Sequence, residues 1–242
     1  MRIKKILLAL ATVASLTCGS SHANLIVNGD FEQTSNGIGQ FDSFTTLNGW
    51  SSNGYNFVFA SNTADSSGSP GAYGNLPLWG PQNGSANGLG ASPTGGNFIG
   101  ANANFLVSPI QQMIYGLIVG HQYDLSFYWG AAQQFGFDGT TSSKWIVALG
   151  DELRETATVH IPSHGFSGWM NQKFSFVANG TTRLLTFLAE GTPPSGAPPF
   201  ALLDGVTLQE HVNVPEPTTW TMLLAGFGLM LFALRRGKHS AI

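Results

Sequence analysis

The stretch Gln122-Tyr123-Asp124-Leu125-Ser126-Phe127-Tyr128-Trp129 decides the fold class. Successive side chains of a strand point to opposite faces. Tyr123, Leu125, Phe127 and Trp129 therefore share one side, and Asp124, Ser126 and Tyr128 the other. Shorter runs of the same kind lie on either side in the sequence. They are Leu25-Ile26-Val27, Asn56-Phe57-Val58-Phe59, Asn97-Phe98-Ile99, Trp145-Ile146-Val147-Ala148-Leu149, and the stretches 156–161, 173–177, 183–188 and 200–208. Clusters of Gly, Pro and Asn divide them, as turns require. Many short strands without an amphipathic helical period predict an all-β sandwich or barrel. One stretch, 61–96, breaks the rhythm with repeated Gly and Pro. A connection that long inside a compact domain is expected to be functional or mobile.

The two ends of the chain read differently. Met1-Arg2-Ile3-Lys4-Lys5 precedes a short apolar run and Ser21-His22-Ala23. That order of charged, apolar and small residues predicts a signal peptide over 1–23, cut after Ala23. Cys18, the only cysteine, falls inside it. Thr17 stands where a lipobox favours Gly or Ala, which argues against lipidation. The mature chain then has no thiol for disulfides, metal binding or nucleophilic catalysis. At the other end, Pro215-Glu216-Pro217 precedes an apolar run over 218–234, then Arg235-Arg236 and Lys238. As a helix the run is roughly 25 Å long, at the short end for a membrane span. The basic residues behind it predict a cytoplasmic tail over 235–242.

This C-terminal order resembles the PEP-CTERM sorting signal of Gram-negative bacteria. The resemblance implies recognition of Pro215, Glu216 and Pro217 by an exosortase, with Arg235 and Arg236 as the membrane stop. It also implies a source that makes exopolysaccharide. The protein is then exported through the inner membrane, anchored by its C-terminal helix, and released to the envelope or the extracellular space after processing.

Between these ends, 24–211 is long enough for one domain with a sizeable core, and 212–217 reads as a linker. Six of the ten basic residues lie in the two ends, leaving Lys144, Arg154, Lys173 and Arg183 against all thirteen Asp and Glu. That acidic balance argues against nucleic acid and anionic headgroups, where Lys and Arg neutralise phosphate. It permits a divalent cation.

Four phrases carry a second resemblance: Asn24-Leu25-Ile26-Val27-Asn28-Gly29-Asp30-Phe31-Glu32, Gly49-Trp50, the stretch 116–127, and Ala201-Leu202-Leu203-Asp204-Gly205-Val206-Thr207-Leu208. Together they are similar to the galactose-binding-like fold of many bacterial carbohydrate-binding modules. The fold implied is a two-sheet antiparallel jelly-roll sandwich, with its first and last strands adjacent. Asn28-Gly29-Asp30 reads as a turn, and Asp204-Gly205 as an irregularity in the closing strand, such as a bulge. The resemblance also implies one structural calcium shared by Glu32 and Asp204, with Asn28 and Asp30 as weaker companions. Hard cations take several oxygen ligands. The plainer role for Glu32 and Asp204 is to cap turns or accept backbone amides.

Sugar binding needs aromatic faces beside hydrogen-bonding groups. Trp50, Trp129, Trp145 and Trp169 sit beside strand-like runs and read as core. Trp79, Tyr73 and Tyr55 lie in or near the Gly-rich stretch and are the candidate ligand contacts. Trp79 serves equally well as an anchor for its own loop. No catalytic constellation emerges. His160 and His164 are four apart, but Pro162 and Gly165 deny the helix that would bring them together. Gly-x-Ser-x-Gly, P-loop and dinucleotide patterns are absent from the sequence. The expectation is a non-catalytic polysaccharide-binding module. The alternatives are a structural or adhesive surface protein without a discrete sugar site and, third, a glycan-active enzyme. Fold alone cannot choose among them.

Overall fold

The computed structural model describes residues 23–192 and 196–212, together with 226–228 and 230. One compact unit runs from His22 to His211. Its strands are β1 (Gly39–Gln40), β2 (Asn56–Ala60), β3 (Ser69–Gly71), β4 (Gly74–Leu76), β5 (Asn97–Asn102), β6 (Ile110–Tyr115) and β7 (Gln122–Gln133). They continue with β8 (Thr141–Leu149), β9 (Glu152–Glu155), β10 (Val159–Ile161), β11 (Met170–Val177), β12 (Thr182–Thr192) and β13 (Pro199–Glu210). The larger sheet has the order β1-β2-β5-β13-β7-β11. The smaller has the order β10-β8-β12-β6, with β9 also paired to β8. The pairs within both are antiparallel. The chain is an all-β sandwich.

The alternation of β7 sets the main core. Tyr123, Leu125, Phe127 and Trp129 all point between the sheets and are buried. Phe187 of β12 meets the rings of Trp50, Phe127 and Trp145 there. Fully burying each such side chain contributes roughly 1.5–3 kcal/mol, so this aromatic cluster holds the two sheets together.

The Gly-rich stretch 61–96 is not a bare loop. It contains the β3–β4 hairpin and a 3-10 turn at Pro81–Asn83. Ala64, Leu76, Leu78 and Leu89 from it pack on Phe57, Phe59, Phe98, Phe200 and Leu202, which form a second core. These residues alternate with Val58, Ile99, Ala201 and Leu203 of the main core. The stretch is therefore a third layer over the outer face of the larger sheet. Asp65 fastens it from inside, accepting from the Gln82 backbone N–H at 2.8 Å and from its Nε2 at 2.9 Å. Strands buried on both faces read as continuous apolar runs rather than alternations, which is why β2, β5 and the first half of β13 do.

The opening run Leu25-Ile26-Val27 is not a strand. It lies beside the closing strand all the same. Leu25 N–H donates to Leu208 O at 2.9 Å, and Leu208 N–H donates to Asn24 Oδ1 at 2.9 Å. The side chain of Gln112 clasps the Val27 backbone at both N–H and C=O. The expected irregularity in the closing strand is present as a register shift between Asp204 and Thr207.

Both end segments, 1–23 and 218–234, lie almost wholly outside the described residues. Gly226–Gly228 and Met230 are helical. No helix among the described residues is long and apolar enough to cross a membrane.

Candidate functional site

Three surfaces need separate description. The first is aromatic. Tyr73 sits in the turn between β3 and β4 and is 70% exposed. Its ring stands on Tyr55 at 5.8 Å and on Phe105 at 6.1 Å, and Tyr55 meets Phe105 edge-on at 5.3 Å. Leu106 and Val107 extend the exposed apolar surface. Tyr55 itself is only 6% exposed, and burial followed by the nearby Tyr73 phenol raises its pKa. It is a footing for the platform and presents no face to a ligand. Phe105, which completes the platform, escaped notice in the sequence because it follows no strand-like run.

Trp79 is placed elsewhere. Its indole stacks on His164 at 3.7 Å and meets Phe135 at 4.5 Å, while Nε1 donates to Phe137 O at 2.9 Å. Its backbone N–H donates to Gln133 O at 2.9 Å. These contacts tie the outer layer to the 133–137 and 162–165 turns. His164 is held in turn by Asp138 at 2.6 Å. The four-residue spacing of His160 and His164 spans a strand end and a turn, as Pro162 dictates.

The second surface surrounds Asp204. Its carboxylate is fully buried and accepts from the hydroxyls of Ser92 and Thr94 and from the Gly205 N–H. Burial pushes its pKa up to about 6 against the pull of those hydrogen bonds, and the charge of Glu32 adds to the rise. Glu32 Oε1 accepts from the Asn97 N–H at 2.5 Å. A Cβ at Gly96 would collide with the Glu32 carboxylate, so the close approach needs glycine. Glu32 and Asp204 thus both meet the segment 92–97 at the end of the outer layer. Asn28 is committed to the turn, bonding the Gln33 and Asn48 carbonyls and accepting from the Gln33 N–H. Among the described residues, no group of three or more His, Cys, Asp and Glu is placed to hold a metal. A cation held here would rely on the two carboxylates together with neutral oxygens.

The third surface is the part of the larger sheet that the outer layer leaves bare. Asp124, Ser126, Lys173, Ser175, Thr207 and Gln209 line an open depression of about 370 Å³. Burial pulls the Asp124 pKa up, but hydrogen bonds from His211 and Ser175 overcome it and hold the carboxyl below its usual range. Ser175 Oγ donates to Asp124 at 2.6 Å, and His211 Nδ1 meets the same carboxylate at 2.6 Å.

Comparison with known proteins adds the C-terminal signal. Residues 213–237 match the PEP-CTERM protein-sorting motif. The chain carries a PEP-CTERM sorting motif. Its Pro215, Glu216, Pro217, Arg235 and Arg236 lie outside the described residues. No curated protein matches the chain. Among solved structures it is similar to the carbohydrate-binding module TmCBM61 in complex with β-1,4-galactotriose, at 16% identity and a TM-score of 0.45, over 78% of this chain and 99% of that one. It is similar to the CBM22-1 xylan-binding domain from Paenibacillus barcinonensis at 12% identity and a TM-score of 0.36, over 78% and 95%. The K3 cleaved adhesin domain of Lys-gingipain from Porphyromonas gingivalis aligns at 12% identity and a TM-score of 0.40, over 77% and 99%. None of these likenesses carries a ligand to this chain.

Proposed function

We propose that this is an exported protein of the cell envelope or extracellular matrix that binds extracellular polysaccharide without catalysis. A signal peptide over 1–23 starts export, a helix over 218–234 anchors the chain, and an exosortase processes it at Pro215-Glu216-Pro217. The sorting motif at 213–237 supports the address. The binding half rests on one observation, the Tyr73 ring standing exposed on Tyr55 and Phe105. Exposed apolar patches on soluble domains mark interaction sites, and an aromatic face suits the apolar face of a pyranose ring. The deciding experiment is a pull-down with exopolysaccharide from the source organism, using the native chain and Tyr73→Ala. Retention of the native chain and loss of the variant support the reading. Equal retention removes the platform from it, and no retention of either favours a structural or adhesive surface protein. Mass spectrometry of the protein from an exosortase-competent host tests the address: a mature species keeping 218–242 counts against processing.

The same reading includes one structural calcium. The donors at Glu32 and Asp204 fit it, being carboxylates with the hydroxyls of Ser92 and Thr94 alongside, all hard oxygens. Held there, the ion would neutralise the buried Asp204 and pin the end of the outer layer to β13.

A further inference from the structure

A second cluster of exposed apolar residues lies far from the Tyr73 platform. β13 begins opposite Asn102, near that platform, and runs to Glu210. Its twelve residues put the two ends of the larger sheet roughly 35–40 Å apart. At the far end the turn after β6 exposes Ile118 and Val119, the latter 59% exposed, beside Tyr115 at 67%. Val177, the last residue of β11 and the partner of Gln122, is exposed as well. This exposure is not fraying. Leu117 N–H donates to Thr181 O, Gly120 N–H to Ala178 O at 2.7 Å, and Ile118 N–H to the Tyr123 hydroxyl at 2.9 Å. A hollow of about 100 Å³ joins Ile118 to Leu25 and Ala23 at the start of the domain.

The domain's chain also leaves at this end. His211 N–H donates to Gln122 O at 2.8 Å, beside the start of β7. From His211 to Thr218, where the apolar run begins, the chain reaches at most roughly 25 Å. A domain tethered that shortly to a spanning segment holds its exit end at the bilayer. Near this end Glu210 is met by His121 at 2.5 Å, Asp124 by His211 at 2.6 Å, and Glu152 by Arg154 and by the Val177 N–H at 2.9 Å.

We propose that, before processing, the end of the sandwich bearing Ile118, Val119 and Tyr115 docks on the lipid surface that holds the sorting segment. Ile118 and Val119 enter the boundary between headgroups and acyl chains, and Tyr115 lies beside them with its hydroxyl toward water. Shallow burial of apolar side chains with an amphipathic aromatic neighbour is how interfacial elements bind. The docked end keeps the Tyr73 platform facing away from the membrane. The proposal rests on the anchoring half of the reading above and is independent of sugar binding.

The test uses the mature chain from Asn24 to Ile242, which has no cysteine of its own, reconstituted into vesicles of phosphatidylcholine and phosphatidylethanolamine. A polarity-sensitive fluorophore is placed at Ile118→Cys, at Val119→Cys or, for the opposite end, at Leu106→Cys. Docking gives a blue shift and quenching by doxyl-labelled lipid at 118 and 119, and neither at 106. A chain that floats with the vesicles but keeps a water-like label at 118 and 119 overturns docking and leaves anchoring intact. A chain that does not float overturns the anchoring reading and docking with it. A blue shift that grows with protein concentration in the absence of lipid assigns the surface to a second copy and overturns the proposal.

Discussion

The outer face of the larger sheet is two surfaces made by the same strands. Over β2, β5 and the first half of β13 it carries Phe57, Phe59, Phe98, Phe200 and Leu202 under the 61–96 layer. Over β11, the first half of β7 and the rest of β13 it carries Asp124, Ser126, Lys173, Ser175 and Gln209, open to solvent. The change falls near Asp204, where the register of β13 shifts and the layer ends at Ser92 and Thr94. A Gly-rich segment therefore acts here as a structural cover, and one strand can be core on both faces at one end and amphipathic at the other.

The comparison breaks most sharply under the cover. Phe59→Ala should cost about 3–5 kcal/mol, as large aromatic truncations in packed cores do. Ser126→Ala on the bare half should stay within about 0.5 kcal/mol. Denaturant unfolding of both variants measures the contrast, and similar losses would mean that the layer does not form a true core.

The seam gives the next largest effect. The Asp204 pKa is raised from 3.8 to about 6 in the fold. The native state then holds that proton more tightly than the unfolded chain does. Its contribution to stability is full below about pH 4 and is lost as pH rises through about 6, a change on the order of 3 kcal/mol. That loss should appear in chelator. Calcium, binding the native state selectively, should offset it and raise the unfolding midpoint. Equal midpoints with calcium and with chelator at pH 7 would remove the metal from the proposed function.

Trp79→Ala acts on the fastening of the cover. Losing its contacts with His164 and Phe135 and its hydrogen bond to Phe137 should cost about 2 kcal/mol. Hydrogen exchange should then quicken in 77–90 before it does in β7. The smallest effect belongs to the exposed tip of the cover. Tyr73→Ala should weaken polysaccharide binding by about 1 kcal/mol and leave the unfolding midpoint unchanged. A shifted midpoint would make Tyr73 part of the packing rather than the platform.

Much of this was legible in the residues. The period-two pattern of β7 named its core face correctly, and Trp50, Trp129 and Trp145 are buried as their strand-like surroundings implied. Asp204-Gly205 announced the irregularity in β13. The cover was not legible, because a segment of Gly, Pro and Asn shows no period and its order comes from tertiary contacts such as Asp65 to Gln82. An indirect signal was present. Phe57-Val58-Phe59 and Phe200 to Leu203 are apolar without alternation, so both faces of those strands needed covering. Tyr55, a candidate ligand contact by its place in the sequence, is buried, since proximity to a loop in sequence says nothing about burial. Phe105 was missed because it follows no strand-like run and the platform joins it to Tyr55 and Tyr73, both far from it in sequence.

The placement of β13 sets the order of assembly during export. It is the last strand among the described residues, yet it lies between β5 and β7 at the middle of the larger sheet. A chain emerging from its N-terminus completes the smaller sheet only when β12 has followed, and the larger sheet stays in two pieces until 199–210 has crossed as well. In the proposed export route the sorting segment, which follows immediately, is then next to enter the membrane. Closure of the sandwich and arrest of the chain are thus nearly simultaneous, and a translocating chain that stalls before residue 199 leaves behind a sheet with its central strand missing and two unpaired edges facing the gap.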